Sequence, residues 1–217
     1  MYRGHTTRSG RTGQPWWLPS LADVSFLIPL LLLFSRLDGI PGLLGDGDTG
    51  WHIRTGEWIL DNGAVPRQDI CSYTRPGEPW FAWEWLWDVG FALLFRAGGL
   101  ALVALASLAV IGLTFLLVYR LSLRVSGSFA ASIATTILAI ICSSVHWLAR
   151  PHLFTLLFSV LFLWILLDAR QGNQNRLWIL PLLMVLWTNL HGGFIAGLVI
   201  AAAFVAGGLA GSSLRWI

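Results

Sequence analysis

Apolar and polar positions fall in long blocks along this chain. Six apolar runs stand out: Leu21 to about Ile40, Leu100 to Tyr119, Phe129 to about Val145, Leu153 to Leu167, Leu177 to Leu190, and Phe194 to Ala210. A helix that crosses a bilayer needs roughly 20 apolar residues, within about 17 to 25. A soluble helix shows an apolar stripe on one face. Apolar blocks of this length therefore predict spanning helices. The fourth and fifth runs are short, and Pro181 predicts a kink in the fifth.

A seventh segment, Trp80 to Phe95, behaves differently. Trp80, Trp83, Trp87 and Phe91 make one stripe at helical spacing, and Glu84 and Asp88 make another. Two carboxylates make a crossing costly, whereas a helix in the interfacial layer keeps them wet. The distribution of Arg supports the interfacial choice. With six crossings, Arg3, Arg8 and Arg11 start inside, and Arg120, Arg124, Arg170, Arg176 and Arg215 all return to that side. A seventh crossing would put Arg120, Arg124, Arg170 and Arg176 outside. The expected fold is therefore all-α and polytopic, with about six transmembrane helices. It has a basic cytoplasmic tail over residues 1–20 and a single transmembrane domain over 21–217. An external loop over 41–99 carries juxtamembrane amphipathic helices.

Composition strengthens this picture. Hydrophobic residues make up 56% of the chain, charged residues only 12%, and mean hydropathy is +0.69. Soluble domains carry about 25% charged residues. The net charge of +3 comes entirely from Arg among the basic residues, in small groups between apolar runs. That pattern marks topology and excludes a nucleic-acid partner. Many of the thirteen Trp sit at run ends, where an apolar ring with a polar N–H suits the headgroup layer. Cys71 and Cys142 rule out a disulfide framework, and no metal-spacing motif is present. The basic N-terminus precedes an apolar stretch of about twenty residues with no small-residue cleavage site, which predicts an uncleaved signal anchor.

The topology brings distant polar residues to one side. Asp46 and Asp48 flank Gly47 just after the first run. They suit a general base or oxygen ligands for a divalent cation; the plainer reading is a polar turn and helix cap. The next helix, Thr49 to Leu60, is expected to begin at an Asp48 cap and stop at Asp61-Asn62-Gly63. His52 and Arg54 lie on it. Arg54 suits a phosphate, or pairs locally with Glu57 on a wet face. Arg150 and His152 flank Pro151 at the outer junction of runs three and four. There Arg150 would hold a phosphate or anchor to headgroups. Asn189 and His191 lie at the outer turn of runs five and six. Glu84 and Asp88 fit the wet side of an amphipathic helix better than a cavity.

These residues carry a resemblance. Asp46-Gly47-Asp48 after the first run, HIRTGEWILDNGAVPRQDICSYT (52–74), PWFAWEWLWDVGFALLFRAGG (79–99), ARPHLFTLLF (149–158) and LWTNLHGGF (186–194) together resemble bacterial membrane glycosyltransferases of the GT-C fold class. That group includes protein mannosyltransferase-like and aminoarabinose-transferase-like enzymes. The resemblance covers nearly all of residues 20–210. It implies transfer of a sugar from a polyprenyl-phosphate donor at the outer face of the bacterial cytoplasmic (inner) membrane, with the N-terminus cytoplasmic. Asp46 or Asp48 would be the catalytic acidic residue, with any divalent cation held there. Arg150, His152 and His191 would face the donor phosphate. Six spans are fewer than the class usually has, which implies an N-terminal portion or a reduced form. The alternatives are a non-catalytic membrane subunit or assembly protein with a partner subunit and, further off, a transporter. Membrane lipids are partners in every case.

Overall fold

The computed structural model describes residues 20–36 and 38–213. The basic N-terminal tail and Arg215 lie outside the described residues. The chain forms eight α-helices among them: α1 (Leu21–Arg36), α2 (Gly39–Leu43), α3 (Asp48–Asn62), α4 (Trp85–Ser126), α5 (Phe129–Ser143), α6 (His152–Arg170), α7 (Ile179–Leu190) and α8 (Ile195–Ser213). The only β pairing among the described residues is an isolated antiparallel bridge between Gln68 and Pro79. The expected all-helical class is therefore what the chain adopts.

Four helical segments are long and apolar enough to cross a membrane: Trp85–Ser126, Phe129–His146, His152–Arg170 and Gly192–Ala210. Two of the six apolar runs make shorter helices. In α1 the apolar stretch is Phe26–Ser35, and α7 has 12 residues. Pro181 lies in the first turn of α7, where its missing N–H breaks no helical bond, so the expected kink does not arise.

The 42 residues of α4 are two helical arms joined at a break. Gly98 (φ −159°, ψ 23°) and Gly99 (φ 62°, ψ −161°) leave helical geometry. Gly99 stands where a side chain would meet a steric penalty. The first arm (residues 85–97) folds back on the second (residues 100–126). Leu86, Gly90 and Leu94 of one arm and Ala106, Ser107 and Val110 of the other line a single apolar cavity of about 150 Å³, with Phe154 and Leu190.

Helix α3 packs beside the first arm in parallel, at a nearly constant sequence offset. His52 meets Asp88 and Asp61 meets Arg96, 36 and 35 residues apart. Gly56 makes this approach possible: a Cβ there would lie 1.9 Å from the Asp88 carbonyl oxygen. The α3 boundaries match the expected signals, with one change of role. Asp46 Oδ1 accepts from the Asp48 N–H at 2.8 Å, so Asp46 supplies the bond expected of Asp48. Gly63 closes the helix in the left-handed region at φ 64°.

The helices run between two polar ends. At one end the Ala149 N–H donates to the Leu43 carbonyl at 2.8 Å, and the Thr49 hydroxyl donates to the Ala149 carbonyl at 3.4 Å. These bonds tie the α5–α6 junction to α2 and to the first turn of α3. At the other end Asp168, 2% exposed, binds both Arg124 and Arg176. The length of α6, about 27 Å at 1.5 Å per residue, separates the two ends. Between them Trp187 (0% exposed) packs edge-on against Phe158 and Phe162.

Candidate functional site

The first polar end gathers side chains from four separate stretches of chain. Arg150, placed by the Ala149 backbone bond, reaches Asp46 through Nη1 at 3.1 Å and binds Asp48 through Nη2. One guanidinium thus spans both expected acidic residues, in the fork geometry that suits Arg to paired oxygens. Both Asp46 oxygens are engaged, one by Arg150 and one by the Asp48 N–H.

Beside this ion group lies an imidazole–carboxylate array. His52 Nδ1 is 2.6 Å from Asp88 Oδ1, and both side chains are 1% exposed. His52 Nε2 faces Glu84 Oε2 at 3.8 Å, and His191 Nε2 faces Glu84 Oε1 at 3.6 Å. Glu84, at the start of the first arm of α4, therefore sits between two imidazoles. His191 is oriented in turn: its Nδ1 accepts from the Gly193 N–H at 3.0 Å and from the Thr155 hydroxyl at 2.8 Å. The Thr155 oxygen accepts from Trp187 Nε1–H at 3.0 Å. Gly193 is required here, since a Cβ would stand 2.3 Å from Thr155 Oγ1. His152 Nε2–H donates to the His146 carbonyl, and its ring lies 6.4 Å from that of His191. Nearby, Trp85 Nε1–H donates to Asn189 Oδ1 at 2.7 Å.

Burial sets the charge states. It is the main force pushing His191 down to about 4, with the positive fields of His152, Arg150 and His52 adding to it. His191 is therefore neutral at physiological pH, with its proton on Nε2. Burial also raises Glu84 above the usual carboxylate range, and the Asp88 charge adds to the rise. His52, Arg150 and the Gly192 amide oppose it. Two buried atoms of the array, His52 Nε2 and Asp88 Oδ2, have no hydrogen-bond partner among the described residues.

Of the residues expected from sequence, Asp46, Asp48, His52, Arg150, His152 and His191 come together here. Arg54 does not join them: its side chain is 70% exposed and pairs with Glu57 at 3.6 Å, the local alternative. Among the described residues no group of three or more His, Cys, Asp and Glu is arranged to hold a metal ion. Asp46 and Asp48 have Arg150 as their cation. Glu84 and Asp88 correct the sequence reading. The wet face expected for them is instead packed: α3 covers Asp88 completely and Glu84 in part. Small residues one helical turn on, Gly56 and Ala92, were the available signal that these two faces could meet.

Comparison with known proteins gives no match. No family model, curated protein or solved structure matches the chain.

The array can do two kinds of chemistry. Arg150 presents a localised positive charge beside carboxylates that hold it in place. Glu84 and His52 place a carboxyl oxygen and an imidazole nitrogen 3.8 Å apart, groups able to accept and pass on a proton.

Proposed function

We propose that the chain is a GT-C-like glycosyltransferase of the bacterial inner membrane, which moves a sugar from a polyprenyl-phosphate donor to an acceptor at the outer face. The observation that carries this reading is the convergence at one end of an apolar helical bundle. Arg150, clamped by Asp46 and Asp48, stands next to the Glu84, His52, Asp88 and His191 array. Glycosyl transfer from a phosphate needs both charge stabilisation for the leaving group and a proton acceptor for the incoming hydroxyl. Arg150 would face the donor phosphate, with His152 and His191 behind it. Asp46 and Asp48 are the acidic residues that the resemblance singles out, and they hold the guanidinium in place.

Orientation and span number belong to the same reading. Arg120, Arg124, Arg170 and Arg176 lie toward the end opposite the site, so the site faces outward under the positive-inside rule. Six crossings are supported by connectivity. Asp23, near the start of α1, lies within electrostatic reach of Arg120, whereas Leu43, just beyond α1, bonds Ala149 at the site. In the same way α7 carries the chain from the Arg176 end to His191. Both short helices therefore join the two ends.

The test is transfer in proteoliposomes from a long-chain polyprenyl phosphate carrying a labelled hexose. We expect Arg150→Gln to reduce transfer roughly 100- to 1000-fold, the range found when one stabilising donor is removed. Asp46→Asn and Asp48→Asn should each impair it as well. Transfer that survives unchanged in all three variants would sink the site. A second reading, a non-catalytic subunit, draws on α8, of whose apolar window only 6% is buried. A stable partner that co-purifies, with no polyprenyl phosphate bound, would favour it.

A further inference from the structure

We propose that Glu84 is the proton acceptor of the transfer step, and that His52, fixed by Asp88, is the relay that takes the proton on. This inference rests on the glycosyl-transfer reading and assigns its base to a residue that neither the first-loop pattern nor the resemblance singles out.

The partner of each imidazole sets its tautomer. Asp88 Oδ1 is 2.6 Å from His52 Nδ1, inside a packed interface where both side chains are 1% exposed. A carboxylate accepts, so His52 carries its proton on Nδ1. Its lone pair is then on Nε2, buried and without a hydrogen-bond partner among the described residues. That atom points at Glu84 from 3.8 Å. His191 has the opposite tautomer. The Gly193 amide can only donate, so Nδ1 holds the lone pair and Nε2–H points at Glu84 from 3.6 Å. Glu84 therefore stands between an imidazole that can accept a proton from it and one that can donate a hydrogen bond to it. This is a directional arrangement. The Glu84 carboxyl, about a quarter exposed like the His191 ring, is open to a reactant, whereas His52 and Asp88 are closed off by packing.

The remaining neighbours fit the role. Arg150 is close enough to act on Glu84 electrostatically, and it marks where a donor phosphate would rest. The raised affinity of Glu84 for a proton brings it nearer to working pH, where a general base is most effective. In the step itself, the acceptor O–H bond breaks and its proton goes to a Glu84 oxygen. The freed electron pair forms the bond to the anomeric carbon. The bond from that carbon to the phosphate oxygen breaks, and its electron pair leaves with the polyprenyl phosphate. The proton then passes from Glu84 to His52 Nε2. The imidazolium so formed lies between Glu84 and Asp88, each able to balance its charge. Asp88 is a positioning residue in this scheme, as the acid behind a catalytic imidazole is in other proton relays. Contact with an acceptor would shorten the 3.6 and 3.8 Å separations, as catalytic hydrogen bonds tighten in the reacting complex.

The test combines two readouts on the full chain in lipid nanodiscs. The first is sugar transfer as a function of pH. We expect Glu84→Gln to lose transfer about 100-fold or more while binding of polyprenyl phosphate is retained. Asp88→Asn, which keeps the shape but frees the tautomer, should lose at least about tenfold and displace the pH profile. The second readout is nitrogen NMR of the five histidines. It should show His52 as the Nδ1–H tautomer and His191 as the Nε2–H tautomer. The His52 Nε2 signal should move in Glu84→Gln. Transfer within twofold of wild type in Glu84→Gln would overturn the base assignment. His52 as the Nε2–H tautomer would overturn the relay. A wild-type protein that neither transfers sugar nor binds polyprenyl phosphate would overturn the glycosyl reading and the base assignment with it. The histidine tautomers would still decide the relay on their own.

Discussion

Asp88 and Asp168 are both almost fully buried, at 0% and 2% exposed, and the bundle treats them in opposite ways. Asp168 has one oxygen on Arg124 and the other on Arg176, and Gln171 braces Arg124 at 2.6 Å. Asp88 has one oxygen on His52, while its other oxygen and the far nitrogen of that histidine have no partner among the described residues. A saturated network holds one arrangement. An unsaturated one retains a site where a proton or ligand atom can go. One end of the bundle thus works as a lock, and the other keeps capacity for chemistry.

The largest expected effect bears on the open end. Gly56→Ala would drive a methyl group into the Asp88 carbonyl and push α3 off the first arm of α4. We expect a loss of about 3 kcal/mol in unfolding measurements in detergent, with the His52–Asp88 pair disrupted. A change below about 0.5 kcal/mol would mean that α3 does not pack as described. Next is the lock. Asp168→Asn leaves two arginines without their counter-charge; both are partly exposed, so we expect about 2 kcal/mol. Transfer per folded molecule should stay at the wild-type level. If transfer falls more than stability does, the ends are coupled and the contrast fails.

The smallest effect is in pH. His191 is held near 4 when folded, against roughly 6.5 when unfolded. Between those values the unfolded chain binds more protons, so stability rises with pH from about 4 to about 6.5. Screening of the partly exposed ring limits the gain to on the order of 1 kcal/mol. Glu84 acts in the opposite sense. Its folded affinity for a proton is raised, so its contribution is lost as pH climbs above the ordinary carboxylate value. Thermal midpoints at stepped pH should therefore steepen in Glu84→Gln and reverse slope in His191→Gln. Identical slopes in all three proteins would mean that the two groups do not share an environment.

Much of this was legible in the sequence, for identifiable reasons. Apolar blocks marked the long helices, since lipid-exposed and core faces are both apolar. Gly63 marked the end of α3, in the left-handed region. The meeting of Asp46, Asp48, Arg150, His152 and His191 followed from alternating helix direction alone. The pairing of α3 with the first arm of α4 did not. Amphipathic spacing shows that a face is polar but not whether water or another polar face covers it. Asp168 escaped notice for a similar reason: its partners Arg124 and Arg176 looked like topology charges, and a buried triad leaves no periodic trace. Thr155, which holds His191, is one of two hydroxyl residues, with Ser159, in an otherwise apolar run.

The backbone bond from Ala149 to Leu43 has a consequence for biogenesis. The site draws on residues from Asp46 to His191, so no early stretch of the nascent chain contains it. His52, Glu84 and Asp88 emerge together, but Arg150 and then His191 follow only later. Arg150 lies 62 residues beyond Asp88, so at about 5–20 residues per second the wait for it is roughly three to twelve seconds. During that time the acidic half waits at the membrane without its cation. A release or translocation defect in that window would leave every helix of the first half intact and the protein inert.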